Sequence, residues 1–428
     1  MNKSNLKTKL AAIFTAAILT ISFSACLPFE LAEKAMGGNA EIESLLESRA
    51  ELKSEIEERQ SSYTGYGYHA LLDDAERELY ALVDINAGRL VPQSFLAEKS
   101  VKENIHNVIE MYKNDFPEVF WIDDKYNYEY YEDDEYLYIN LLFSVEGSEL
   151  ESAKETFEQA VNAALENAPY EGSDYEKELF VNDYLIECCE YDYDAAATEE
   201  VIGFEQNAYG ALVDGKAVCE GYTRAFQLLC ERLGVECVPI NGVCDDTNVA
   251  FNGNHIWNAV KIDGEWYQTD VTWNDYETED KESFVSSVET HLYFNITTEK
   301  ITNDHTINPI YSGEGSEDII FNSFVPECTS TEYNYFEQSF PVFKSFDNCD
   351  DLKKLLVQAA ANKEEKFEFT VADNLDYKNT VNEFIHGVAY EWFAYSNEQN
   401  DSGHQLSDNC LIYSYEVAPV IVFKLEYI

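Results

Sequence analysis

Residues 215–234 read GKAVCEGYTRAFQLLCERLG and decide the fold of this chain. After Cys219 the apolar residues recur at i, i+3, i+4 and i+7. This spacing predicts an amphipathic helix that ends at Gly234, a residue type common just past a helix C-terminus. Cys219 then begins the helix, where unpaired N–H groups and the positive end of the dipole favour a thiolate. The same N–H groups could hold an oxyanion, so the stretch predicts a nucleophilic cysteine.

Two later segments carry the side chains that assist such a cysteine. They read GNHIWN at 253–258, with His255, and WYQTDVTWND at 266–275, with Asp270. A histidine can take the thiol proton and return it to a leaving group, and a carboxylate can orient the imidazole. We therefore expect Cys219 to attack, His255 to act as general base and Asp270 to orient it.

The two segments predict one β-hairpin. Polarity alternates on both sides of Asp263-Gly264, a dipeptide typical of two-residue hairpin turns, and the second strand is expected to continue to Thr272. In that register Thr272 faces His255, and Asp270 is the diagonal neighbour of His255. Diagonal neighbours lie about 7–8 Å apart at Cα, within reach of an imidazole and a carboxylate.

These motifs resemble the transglutaminase-like superfamily, a papain-like group that uses a Cys-His-Asp triad. The similarity covers roughly residues 150–310. The resemblance implies Cys219, His255 and Asp270 as catalytic residues. The matching residues are DGKAVCEGY at 214–222, Gly242, HIWN at 255–258, WY at 266–267, DVTWND at 270–275, YFN at 293–295, and Asp304 with His305.

The resemblance implies an α+β fold with a transglutaminase-like, papain-like core. In this core the nucleophile lies at a helix N-terminus, and an antiparallel sheet carries the His and the Asp. An N-terminal α/β segment and a small C-terminal α+β domain are expected to flank it. The predicted divisions are a lipoprotein signal peptide with a lipobox at 1–26, a tether and charged helix at 27–60, the N-terminal segment at 61–148, the catalytic domain at 149–312 and the C-terminal domain at 313–428.

The N-terminus predicts export. Three lysines within the first nine residues precede an apolar run from Leu10 to Phe23, which is short for a membrane span. The run ends in FSAC at 23–26, which resembles a bacterial lipobox with Phe in place of the usual Leu. Cys26 would then be the lipidated mature N-terminus and the only membrane attachment. Simple secretion after cleavage behind Ala25, or a retained signal anchor, are the alternatives.

Charge and cysteine content limit the partners. With 28 basic and 82 acidic side chains the formal charge is −54, which repels nucleic-acid phosphates and excludes a nucleic-acid partner. The cysteines show no zinc-binding spacing, so we expect no metal and no cofactor. Besides Cys26 and Cys219, we expect most cysteines to be reduced core residues; they are Cys188, Cys189, Cys230, Cys237, Cys244, Cys328, Cys349 and Cys410.

Four other residues near the motifs have two interpretations each. Tyr209 is a second oxyanion donor or a packed aromatic residue, and packing is the commoner case. Trp257 is a wall of the core or cleft, with substrate contact as the alternative. His291 and His305 are structural histidines in preference to metal ligands, because no supporting ligand stands at a suitable spacing.

Two functional readings remain open. The first is a cell-surface, lipid-anchored cysteine enzyme that acts on peptide or carboxamide carbonyls. Its substrate would be a protein or peptide, and a substrate associated with the cell wall would fit this location. Water as acceptor gives hydrolysis, which we favour, and an amine acceptor gives a cross-link. The second is a non-catalytic surface module with a transglutaminase-like fold that binds a wall polymer or protein.

Overall fold

The computed structural model describes residues 39–63, 68–130, 135–197, 203–244, 253–275, 286–307, 325–372, 374–409, 411–415 and 417–428. Cys26, the predicted signal peptide, the predicted tether up to residue 38 and Cys410 lie outside these residues. Within the described ranges, no helix combines the length and the apolar character that crossing a membrane requires.

Helices are combined with mostly antiparallel sheets, which is the predicted α+β class. The helices are α1 (Asn39–Ser62), α2 (Asp74–Ala87), α3 (Ile105–Asp115), α4 (Gly147–Ala164), α5 (Asp174–Cys188), α6 (Tyr193–Ala196), α7 (Cys219–Arg232), α8 (Val271–Asn274), α9 (Ser286–Glu289), α10 (Thr298–Ile301), α11 (Tyr335–Ser339), α12 (Asp350–Asn362), α13 (Tyr377–Glu383) and α14 (Ala389–Gln399). The strands are β1 (Phe95–Glu98), β2 (Ile122–Glu129), β3 (Tyr136–Phe143), β4 (Glu190–Tyr191), β5 (Lys216–Ala217), β6 (Glu236–Cys244), β7 (Gly253–Ile262), β8 (Glu265–Thr269), β9 (His305–Ile307), β10 (Val342–Phe343), β11 (Lys366–Val371), β12 (Leu411–Ser414) and β13 (Val420–Lys424).

Packing divides the described residues into two compact units. The first contains those up to Lys261 and those of Asp304–Pro326. The second contains Ile262–Asn303 and the residues from Glu327 onward. Residues 262–303 are therefore grouped with the C-terminal part of the chain, a grouping that the sequence patterns did not indicate. The catalytic domain at 149–312 and the C-terminal domain at 313–428 remain predictions.

The N-terminal part of the first unit pairs a helical layer with a small sheet. The strands lie in the order β1-β3-β2 and are antiparallel. The charged helix α1 is held by Arg49, which pairs with Glu78 on α2 and donates to the Leu96 carbonyl at 2.8 Å. The β-branched and aromatic residues at 118–122 predict a strand there, but the strand begins only at Ile122.

The rest of the first unit is built around helix α7. The pair Ser173 and Glu176 has the spacing that predicts a capping box, and this box is present at the start of α5. Helix α7 is buried on every side from Gly221 to Cys230, because α5 and strand β6 pack against it. Strand β6 lies between β7 and β9 and is antiparallel to both. This arrangement presents β7, with His255, next to the strand that supports the cysteine helix.

The second unit has its own core. Its C-terminal sheet has the order β10-β11-β13-β12. Sequence patterns predict a helix at 347–362 and strands at 367–371 and 420–427, and these correspond to α12, β11 and β13. Phe369, Phe384, Trp392 and Phe423 fill one buried cluster. A second cluster joins Val288, Phe336, Ala418, Val420 and Val422, so the segment 262–303 shares apolar packing with the C-terminal strands.

Candidate active site

Cys219 occupies the position that the sequence predicts. It is the first residue of α7, after the extended N-cap Val218, whose side chain makes no capping hydrogen bond. The thiol is half-buried, and the helix ends as expected at Gly234, which adopts a left-handed φ of 82°. A partly accessible sulfur at a helix N-terminus is the setting that favours a reactive thiolate.

The segment before Cys219 is fixed by backbone contacts. The N–H of Val218 donates to the Glu205 carbonyl at 2.9 Å, and β5 pairs in parallel with β4. Gly221 allows the preceding loop to approach, because a Cβ atom there would lie 2.6 Å from the Glu205 carbonyl oxygen. The start of the helix is therefore held against this loop, so the position of the sulfur does not depend on a side-chain cap.

Two buried hydrogen bonds tie the cysteine helix to the histidine strand. The Thr223 hydroxyl, one turn after Cys219, donates to the Ile256 carbonyl at 2.9 Å. The amide of Asn258 donates to the Thr223 carbonyl at 3.2 Å. Both Thr223 and Asn258 are fully buried. These bonds hold α7 against the part of β7 that contains His255. Sequence patterns did not indicate this role for Thr223.

His255 lies on a sheet face occupied by aromatic rings. Gly242 on β6 is paired with His255 on β7, and residues two apart share a face, so His255, Trp257 and His305 lie on one side. The ring centroids of His255 and Trp257 are 5.8 Å apart, and those of Trp257 and His305 are 5.0 Å apart. A Cβ atom on Gly242 would lie 2.6 Å from the Trp257 ring, so glycine makes room for this ring.

Trp257 is fully buried, which favours the wall interpretation over substrate contact. His305 is also buried, and its Nδ1 lies 2.6 Å from the carboxylate of Asp304. Side-chain nitrogens of His255 and His305 lie within 4.8 Å of each other. The His305 Nδ1 is already bonded to Asp304, and the interpretation of His305 as a structural histidine in preference to a metal ligand stays a prediction.

Asp270 in the second unit is fully buried, and its local structure corrects one expectation. Strand β8 ends at Thr269, so the strand does not continue to Thr272. Asp270 is instead the N-cap of α8, and its side chain accepts from the Trp273 N–H at 3.1 Å. Its own N–H donates to the Tyr293 carbonyl at 2.9 Å. The carboxylate is thus fixed by capping, which an Asp followed by a short helix could have indicated.

Tyr209 packs within an aromatic cluster. Its ring centroid lies 4.7 Å from that of Phe120 and 4.6 Å from that of Phe204. These contacts fit the interpretation of Tyr209 as a packed aromatic residue. Its role as an oxyanion donor stays a prediction.

A cluster of buried charges lies one turn beyond Cys219. The Arg224 guanidinium donates to Glu220 at 2.6 Å and to the Lys113 carbonyl at 2.5 Å. Lys113 in turn pairs with Glu110 and Asp124. Burial raises the pKa of Glu220, and Arg224 opposes that shift. The cluster joins the cysteine helix to α3 and β2 of the N-terminal segment.

The other described cysteines differ from Cys219 in their surroundings. Cys188 is exposed, and Cys189, Cys230, Cys237, Cys244, Cys328 and Cys349 are buried. Burial raises the pKa of the Cys230 thiol well above its usual value and that of Cys328 to about 12. Buried thiols of this kind are expected to be unreactive.

Comparison with known proteins agrees with the fold and the motifs. The family model described as "Transglutaminase-like superfamily" matches residues 163–271. Cys219, His255 and Asp270 all fall within this range. Residues 163–271 are therefore transglutaminase-like in sequence. The match begins within α4 and ends one residue after Asp270.

Two curated relatives and one solved structure are similar to parts of the chain. Kyphoscoliosis peptidase of Mus musculus is 32% identical over 107 residues, and that of Homo sapiens is 33% identical over 92 residues. These stretches cover 24% and 20% of this chain, and 16% and 14% of the relatives. A crystal structure of a TGase is 14% identical, with a TM-score of 0.25 over 45% of this chain and 55% of that chain. The chain thus matches about one sixth of the length of its curated relatives.

Proposed function

We propose that the protein is a cysteine enzyme that attacks peptide or carboxamide carbonyls of a protein or peptide substrate. The observation that carries this proposal is the half-buried Cys219 at a helix N-terminus, held to the strand of His255 by Thr223 and Asn258. The transglutaminase-like match to residues 163–271 supports it.

In the proposed reaction His255 takes the proton of Cys219, and the thiolate sulfur forms a bond to the carbonyl carbon. N–H groups at the start of α7 stabilise the oxyanion. The protonated His255 gives its proton to the leaving amine, and a thioester remains. His255 then takes a proton from water, and the hydroxide oxygen forms a bond to the thioester carbonyl carbon. The C–S bond breaks to release the acid, and His255 returns its proton to the Cys219 sulfur. Asp270 orients the imidazole.

Water is the acceptor we favour, which makes the enzyme a hydrolase of the protease or amidase type. The acceptor depends on the shape of the cleft and on how well it excludes water. An amine in place of water would join two chains from the same thioester. No feature of the described residues calls for an amine site, so hydrolysis is the simpler proposal.

Selective labelling of Cys219 tests the proposal. Wild type and Cys219→Ala are treated with iodoacetamide at pH 7, and peptide mass spectrometry measures each cysteine. We expect Cys219 to react at least tenfold faster than Cys188, which is exposed and serves as an internal reference. Equal rates at the two residues would contradict the enzyme and would favour the non-catalytic surface module.

We also propose that the protein is exported and anchored at the cell surface by a lipid on Cys26. The apolar run and the FSAC ending are the grounds for this, and Cys26 lies outside the described residues. Cys26→Ser is expected to move the protein from the membrane fraction to the soluble fraction or to leave it unprocessed. A soluble wild-type protein with an unmodified N-terminus would show simple secretion instead.

A further inference from the structure

A second buried histidine lies beside the proposed base. The ring centroids of His255 and His305 are 5.3 Å apart, and the rings are inclined by 50°. The His305 side chain is fully buried, and its Nδ1 lies 2.6 Å from the Asp304 carboxylate, whose side chain is 21% exposed. The proposed mechanism gives His305 no task, so its presence next to His255 needs a separate explanation.

Sheet pairing fixes where this second imidazole lies. His305 begins β9 and is paired with Cys244 on β6, while His255 on β7 is paired with Gly242, two residues earlier on the same strand. The missing side chain at Gly242 leaves space for the Trp257 ring, which lies beside both imidazoles. Trp257 contacts both imidazoles, so the His255 ring has two ring neighbours in fixed positions.

A general base needs this kind of support. The second side-chain torsion of histidine is broad and roughly two-fold, so the ring orientation must be fixed by its surroundings. Trp257 packs its ring against the His255 ring. His305 adds a polar ring, and its bond to Asp304 fixes which nitrogen donates and how the ring is turned.

We propose that His305, held by Asp304, is a positioning residue for the His255 imidazole; this inference rests on the proposed function. The pair keeps His255 in the orientation that accepts the Cys219 proton. It acts through His255 and does not touch the substrate. Loss of the pair should therefore change the reactivity of Cys219 without changing other thiols.

The test measures the iodoacetamide rate of Cys219 between pH 5 and 9, with exposed Cys188 as the reference in the same chain. His305→Asn removes the ring but keeps a short amide that can reach Asp304. Asp304→Asn keeps the ring and removes the carboxylate. We expect His305→Asn to lower the Cys219 rate at pH 7 about tenfold and to move the midpoint of its pH profile upward. Asp304→Asn should act in the same direction by a few fold, and the Cys188 rate should not change.

Two comparisons separate positioning from a general effect on the fold. In a His255→Ala background, His305→Asn should cause no further loss, because its effect passes through His255. His291→Asn is the matched control, since His291 is also buried and stacks on Tyr335 at 3.7 Å in the second unit. It should leave the Cys219 profile unchanged.

The outcomes distinguish this inference from the proposed function. If Cys219 is fast in wild type but unchanged in folded His305→Asn and Asp304→Asn, the inference is wrong and the enzyme stands. An equal loss with and without His255 would also overturn it. If Cys219 is no faster than Cys188 in wild type, the proposed function fails and the inference fails with it. Should His305→Asn not fold by circular dichroism, Asp304→Asn decides, because that side chain is partly exposed.

Discussion

His255→Ala is expected to lower the reaction rate of Cys219 at pH 7 by about 10²–10⁴-fold, the usual contribution of a positioned acid–base residue. The thiol keeps its place at the start of α7 but loses its proton acceptor. The fold should remain, because Thr223 and Asn258 bond across α7 and β7 without using the imidazole. Alkylation by iodoacetamide and circular dichroism measure the two effects.

Asp270→Asn should preserve the structure and still lower the rate by up to about 10⁴, as in other triads whose orienting carboxylate becomes an amide. An asparagine oxygen can still accept from the Trp273 N–H, so the cap at the start of α8 is kept. His404→Ala is a suitable control, because His404 is exposed. A wild-type alkylation rate in Asp270→Asn would contradict the orienting role of Asp270. In the same way, a wild-type rate in His255→Ala would show that His255 is not the base.

The cysteine helix could be predicted from sequence because its determinants are local. The apolar stripe after Cys219 and the glycine at its end are sufficient, and Gly234 adopts the left-handed conformation expected past a helix. The turn after β7 is equally local. Asp263 and Gly264 both have positive φ, 49° and 92°, as a two-residue hairpin turn requires.

The end of β8 was predicted wrongly because one pattern has two meanings. Alternating polarity through Thr272 suggests a continuing strand, while an aspartate three residues before Trp273 also suits a helix N-cap. The cap forms, because Asp270 can accept from the Trp273 N–H and the Asn274 N–H bonds back to the Asp270 carbonyl. Local periodicity cannot decide between the two when the segment is this short.

The surroundings of the site depend on contacts between distant parts of the sequence. His305 reaches Gly242 and Trp257 only through the register of β9 on β6, and no periodic pattern encodes that register. Arg224 finds Lys113 more than one hundred residues earlier in the chain. Sequence patterns therefore identify the three residues proposed to react but not the groups that surround them.

Arg224→Met is expected to destabilise the first unit by about 3–5 kcal/mol. Arg224 is 3% exposed, and two of its N–H groups donate to the same oxygen of Glu220. Methionine fills a similar space but leaves the half-buried Glu220 carboxylate without that partner. Because Glu220 follows Cys219 directly, the change should also lower the Cys219 alkylation rate.

Arg232→Met on the same helix is the matched control. Arg232 pairs with Glu158 at 2.9 Å, but the two side chains are 39% and 47% exposed. Exposed pairs contribute about 0–1 kcal/mol, so this variant should unfold nearly as wild type does. Urea unfolding compares the two variants. Equal stabilities for them would mean that the buried charge cluster does not hold the helix.

The loss of stability in Arg224→Met should depend on pH. Burial already raises the pKa of Glu220, and removal of Arg224 takes away the main opposing influence, so the pKa rises further. Between the ordinary glutamate pKa and this raised value, the folded state binds a proton that the unfolded state releases. Stability therefore falls as pH rises through that window. The difference in unfolding free energy between wild type and Arg224→Met should be larger at pH 8 than at pH 5, because protonated Glu220 no longer needs a cation. A difference that stays constant from pH 5 to pH 8 would show that Arg224 stabilises the helix by packing alone, and one that grows toward pH 5 would contradict the role given to Glu220.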